Sequence, residues 1–254
     1  EGLCLFYEWR KRYPEGASAC RAVVQRLTSS TPLAQDWNKA QVNRVLARAL
    51  AWESCFLPEH AGQRLQESLA LLDDPALAEQ DICAERAFAL HRLALVVGQT
   101  DHERAQRLCE QSIALYRVLE DRWGMAKALN TLGEALWDRT AYDKAQQLHE
   151  KSLNIHQALG DQRGVARSLG RLGTLALFQG QLEGERMVRE SIAIHQEIGD
   201  RVSMAHSFYF ASLALMMLGA YDEAHSLLDE NLALAKDVGP RGNVADVLQS
   251  DVKI

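Results

Sequence analysis

Apolar and polar residues follow one another along this chain with the period of a helix. Runs of apolar positions spaced i, i+3, i+4 and i+7 recur from end to end, and each is one amphipathic helix. No stretch shows the strict alternation of a half-buried strand. The helices come in pairs, and the pairs repeat. Leu119-Glu120-Asp121 returns as Leu159-Gly160-Asp161 and again as Ile198-Gly199-Asp200, 40 and 39 residues apart. The segments that follow also align: Met125-Ala126-Lys127-Ala128-Leu129, then Val165-Ala166-Arg167-Ser168-Leu169, then Met204-Ala205-His206-Ser207-Phe208.

A second element recurs in step with the first. Tyr142-Asp143-Lys144-Ala145 matches Tyr221-Asp222-Glu223-Ala224, with Ser152-Leu153 and Asn231-Leu232 at the same distance beyond each. The middle copy (Leu182 to Ile192) is one residue shorter, and either Gly184 or Glu185 stands where alanine is expected. An earlier copy runs through Ala87, Leu90, Leu93, Ala94, His102, Ala105, Ser112 and Ile113, and a looser one through Ala47, Leu50, Ala51, Ala61, Ser68 and Leu69. Pro14 and Pro58 stand where a first helical turn opens, a position proline tolerates. The array therefore divides into degenerate repeats over 1–75, clear repeats over 79–238, and the start of a further helix over 241–254.

Small residues at matching places (Ala94, Gly133, Gly173 and Ser212; Ala105, Ala145 and Ala224) let the two helices of a pair approach closely. The Gly-Asp steps supply a helix stop followed by an N-cap. One pair cannot bury its own apolar face, so neighbours must stack. The expected fold is all-α: a right-handed superhelix of about six helix pairs plus a partial terminal helix, forming a single solenoid over 1–254.

The combined pattern of Ala, Leu-Gly, Tyr-x-x-Ala, Ser-Leu and Gly-Asp resembles tetratricopeptide repeats of the long, roughly 40-residue kind. Such repeats occur in the sensor region of signal-transduction ATPases with numerous domains (STAND), the maltose-regulon-activator type, and in Leu-Gly-Asn polarity adaptors and kinesin light chains. The opening Leu5-Phe6-Tyr7-Glu8-Trp9-Arg10 with Tyr13-Pro14-Glu15-Gly16 is more similar to the bacterial regulators. Leu57-Pro58 and Asp73-Asp74-Pro75 depart from the pattern.

Composition adds exclusions. The chain has 254 residues and a net charge of −6, so it offers no basic surface for nucleic-acid phosphates. Its five cysteines are scattered and never form a CxxC pair, which reads as a reduced, cytoplasmic chain without a zinc site. Val202 to Tyr221 carries no Asp, Glu, Lys or Arg, long enough to cross a bilayer. Its serines, His206 and its register with the repeats argue for a packed helix instead, and no membrane partner is expected. The chain starts at Glu1 and stops at Ile254 inside a helical pattern, so it reads as a piece of something longer.

No phosphate loop, HExxH, GxSxG or calcium loop is present. His149 and His156 lie seven apart on one helix, but His195 occupies the same repeat position as His156, which points to packing rather than metal binding. Asp73, Asp74 and Asp121 stand at helix boundaries and read as caps. The expectation is a binding protein and not an enzyme, with no cofactor.

By resemblance, the first helix of each repeat lines a concave groove. The positions so implied are Lys127, Asn130 and Trp137, then Arg167 and Phe178, then His206 and Tyr209, with His91 and Trp52 from earlier copies. Lys127, Arg167 and His206 share one repeat position and would form a cationic row suited to an anionic group. The competing reading is that such residues pack against the next repeat, or that Lys127 and Arg167 pair with Glu134 and other acids. Two functions fit. One is a sensor that binds a peptide, protein or small molecule and controls an ATPase module elsewhere in the same chain. The other is a constitutive scaffold that holds a partner's peptide without switching.

Overall fold

The computed structural model describes residues 2–10, 12–29, 37–137, 141–181 and 183–238. Among them are twelve α-helices and no strand. In chain order they are α1 (Gly2–Trp9), α2 (Tyr13–Thr28), α3 (Lys39–Phe56), α4 (Ala61–Leu72), α5 (Cys83–Val97), α6 (His102–Val118), α7 (Arg122–Trp137), α8 (Tyr142–Leu159), α9 (Gln162–Phe178), α10 (Glu183–Glu197), α11 (Arg201–Met217) and α12 (Tyr221–Val238). Single 3-10 turns, Pro58–His60 and Pro75–Leu77, interrupt the early connections. Within each of two groups, successive helices pack on one another. They gather into two compact units, residues 1–138 with α1–α7 and residues 139–254 with α8–α12. The further helix expected over 241–254 lies outside the described residues.

The repeat signature maps onto specific contacts. At the step between pairs, the Asp accepts a backbone N–H three residues on: Gly124 to Asp121 (2.9 Å), Gly164 to Asp161 (3.1 Å) and Ser203 to Asp200 (3.3 Å). Asp101 caps α6 in the same way through Arg104 (2.9 Å). The preceding residue is left-handed each time, with φ of 54° at Glu120, 67° at Gly160 and 69° at Gly199. Glycine takes that conformation without penalty, and Glu120 does not.

Behind each cap a buried ring fills the corner between pairs. Tyr116, His156 and His195 occupy equivalent places, all nearly inaccessible. A side chain on Gly124 or Gly164 would run into the ring of Tyr116 or His156. His156 Nδ1 also lies 2.9 Å from Asp161 Oδ2. His149 is buried as well, so His149 and His156 pack inside the repeat. Among the described residues no cluster of His, Cys, Asp or Glu is arranged to hold a metal ion.

The second helices carry a buried polar position: Ser68, Ser112, Ser152, Ser191 and Asn231. Ser68 Oγ donates to the Ala47 carbonyl (2.7 Å) and Ser112 Oγ to that of Ala87 (2.8 Å). Ser168 Oγ donates to Ser152 Oγ (3.2 Å), and the hydroxyls of Ser191 and Ser207 lie 3.4 Å apart. A hydroxyl is small enough to let helices close together while its hydrogen bond satisfies a buried polar group. The tightest crossing joins α9 to α10. There Gly184, and not Glu185, takes the alanine place: a Cβ on Gly173 would come within 2.6 Å of the Gly184 carbonyl oxygen, and the approach is reciprocal.

In the first unit, paired charges reinforce the degenerate repeats. Glu53, 2% exposed, lies 3.3 Å from both Arg21 Nε and Arg64 Nε. Buried Glu85 meets Arg44 Nε at 2.7 Å. Asp74 accepts from the Ala76 N–H and pairs with Lys39 at 2.8 Å, which sets the linker around Pro75. The uncharged run 202–221 is split between α11 and the first residue of α12, and no described helix is long and apolar enough to cross a membrane.

Candidate ligand-binding recess

In the second unit, α9 and α11 are successive first helices of the repeat and lie side by side. Matching positions on them therefore become neighbours. Arg167 and His206, both exposed, line one recess between these helices, with Gly170, Arg171, Thr174, His195, Ser203, Ser207 and Phe210. Gly170 forms part of the floor. A Cβ there would stand 2.9 Å from Ser191 Oγ and 3.3 Å from Ser207 Oγ, so the absence of a side chain is what leaves the space open.

The hydroxyls around the floor are already committed as donors. Thr174 Oγ1 donates to the Gly170 carbonyl (2.8 Å), Ser207 Oγ to that of Ser203 (3.2 Å), and Ser203 Oγ to Asp200 Oδ2 (3.0 Å). The side chains among the lining residues that can donate to a ligand include those of Arg167, Arg171 and His206. The Arg171 guanidinium lies over the Phe210 ring, 5.2 Å from its centroid. Such stacking holds a long side chain in one orientation. Asp200, next to the recess through Ser203, is engaged by Arg163 Nε at 3.1 Å.

The other expected groove residues are placed differently. Tyr209 is half-buried and packs edge-on against Phe210, with centroids 5.2 Å apart. Phe178 is half-buried against the core shared by α9, α10, α11 and α12. Lys127 belongs to the first unit, where its Nζ lies 4.0 Å from the centroid of the Trp123 ring. Three residues expected on an open wall are buried. Asn130 is 1% exposed, and His91 is 3% exposed with its Nε2 3.0 Å from Thr131 Oγ1. Trp52 lies against Phe88 (4.7 Å) and stacks with Phe56 (6.4 Å), in a cluster on which Cys4 and Tyr7 of α1 also pack. Trp137 ends α7, and its side chain lies outside the described residues.

Arg171 and Phe210 were missed from the sequence, although each stands four residues after an expected one (Arg167 and His206) and so one helical turn along the same face. That spacing was the available signal.

Residues 85–158 and 124–184 match the family described as tetratricopeptide repeat. Solved structures extend the likeness of fold. BtubC from P. vanneervenii superposes with a TM-score of 0.62 at 14% identity, covering 92% of this chain and 95% of that one. A Rap protein complexed with competence and sporulation factor gives 0.67 at 14%, covering 84% and 61%. The kinesin light chain repeats of Podosopora anserina give 0.52 at 18%, covering 77% and 95%. No curated protein sequence matches the chain.

Proposed function

We propose that this repeat array is a binding module that captures a peptide, protein or small molecule, with the recess between α9 and α11 as its anchoring point. The observation that carries the reading is the convergence of Arg167, Arg171 and His206 on one recess without a carboxylate among its lining residues. A chain of net charge −6 gains nothing in solubility from gathering its cations in a hollow, whereas an anionic ligand does gain. A Rap protein of similar fold is complexed with competence and sporulation factor, which supports ligand capture as a use of this architecture. We further read the module as the sensor region of a STAND-type regulatory ATPase, acting by changing how an ATPase module elsewhere in the chain is held. The second reading, a constitutive scaffold, rests on the extensive fixed packing of α9 with α10 and α11. No catalytic step is assigned to the chain.

A screen of peptides and metabolites by thermal shift tests the reading. The wild-type chain is compared with Arg167→Ala/His206→Ala, two exposed positions whose loss leaves the fold intact. At least one hit must vanish in the variant while its own melting temperature stays unchanged. Hits retained by the variant, or none at all, would overturn the assignment. ATP turnover of a protein that joins this array to an ATPase then separates sensor from scaffold, since only the sensor makes turnover depend on the hit.

A further inference from the structure

We propose that the group held in this recess is a phosphate monoester, an inference that rests on the binding reading above and names its ligand class. The argument begins with where the donors stand. Arg167 and Arg171 stand on α9 a single turn apart, and His206 of α11 lines the same recess. A planar carboxylate is satisfied by one guanidinium fork and leaves the other groups idle. Donors carried on two different helices suit a tetrahedral group with three outward oxygens and up to two negative charges.

The surroundings agree with that choice. Arg171 is steadied on the Phe210 ring, so its fork is oriented before a ligand arrives. Gly170 leaves the floor open where any side chain would meet the hydroxyls of Ser191 and Ser207. None of the nine residues around the recess is acidic, and the acid bonded to lining Ser203, Asp200, is engaged by Arg163. The hydroxyl oxygens of Thr174 and Ser203, which donate to the Gly170 carbonyl and to Asp200, can accept from a hydroxyl on the ester's alcohol.

Isothermal titration of the whole 254-residue chain with phenyl phosphate tests this, with benzoate as the planar monoanion of like size and a phosphoserine peptide as the protein-borne form. Phenyl phosphate should bind one per chain and at least about tenfold more tightly than benzoate. Arg167→Ala and Arg171→Ala should each weaken it by about tenfold or more, the loss expected when a charge-assisted hydrogen bond is removed. Arg171→Lys should not restore it, because the ammonium lacks the fork that stacks on Phe210. Arg167 is exposed, so its variant keeps the fold even if that of Arg171 loosens α11. A phosphoserine peptide that outcompetes phenyl phosphate identifies a protein partner, and one that binds more weakly identifies a small metabolite. Equal affinity for benzoate, indifference to Arg167→Ala, or no heat with either phosphate would refute the proposal. If the phosphates fail while a screening hit still requires Arg167, the phosphate inference falls alone and the binding reading stands.

Discussion

Replacing Gly184 with alanine tests the packing at its tightest point. In an unpacked helix the change would be favourable by up to about 1 kcal/mol, because glycine has the poorer helix propensity. Packing reverses the sign. A Cβ at Gly184 is aimed at the backbone of α9: it meets the Gly173 carbonyl oxygen, lies 2.9 Å from the Leu177 nitrogen and 3.0 Å from Ala176 Cβ. None of these can rotate away, so α9 and α10 must separate, and overpacking of this kind costs about 1–3 kcal/mol. The net expectation is destabilisation by about 1–2 kcal/mol. For a chain of this size that is a fall in melting temperature of roughly 2–4 °C per kcal/mol. Gly62→Ala serves as the control, since its Cβ would meet only Val96 Cγ1 at an ordinary 3.6 Å. It should be neutral or slightly stabilising. Because repeats couple mainly to their neighbours, hydrogen exchange should quicken first in α9, α10 and α11 of the Gly184 variant. A melting temperature that is unchanged or raised by Gly184→Ala would show that this crossing is not as close as described.

Three further predictions follow from single contacts. Glu120→Gly, which relieves a left-handed residue at φ 54° where the other steps carry glycine, should stabilise by about 0.5–1 kcal/mol in chemical denaturation. Asp200→Ala removes a buried acceptor serving the Ser203 amide, the Ser203 hydroxyl and Arg163, so it should cost about 2–3 kcal/mol against about 1 for the exposed cap Asp101→Ala. Burial pushes the Cys109 thiol up to about 12 and the Cys55 thiol up to about 11. At pH 8 both should therefore resist iodoacetamide until the chain unfolds, as mass spectrometry of the labelled peptides would reveal.

The repeat period alone was enough to read most of the fold. Period 3.6 within blocks and a period near 40 between them lead to paired helices, and Asp161, Asp200 and Asp121 could be read as caps because a helix start leaves N–H groups to satisfy. The same spacing leads to Arg167 and His206 facing one recess. Burial was less legible, because spacing identifies the face of a helix but not what crosses over it. Trp52 sits on the expected face, yet Cys4 and Tyr7 of α1 lie on its cluster. His91 and Asn130 share that face and are enclosed all the same. The shorter middle copy left two candidates for the alanine position, and the contact with Gly173 distinguishes Gly184 from Glu185, in step with Ser191 seven residues on. Glu120 gives no hint in isolation that it stands in a glycine's conformation; only its alignment with Gly160 and Gly199 does.

The central claim is that α9 and α11 together form the binding surface. Hydrogen–deuterium exchange of the chain with and without the first ligand captured in the thermal-shift screen measures this directly. The account predicts joint slowing over 167–174 and 203–210, with little change in α3 through α6. Protection confined to the first unit, or spread evenly over all twelve helices, would contradict it.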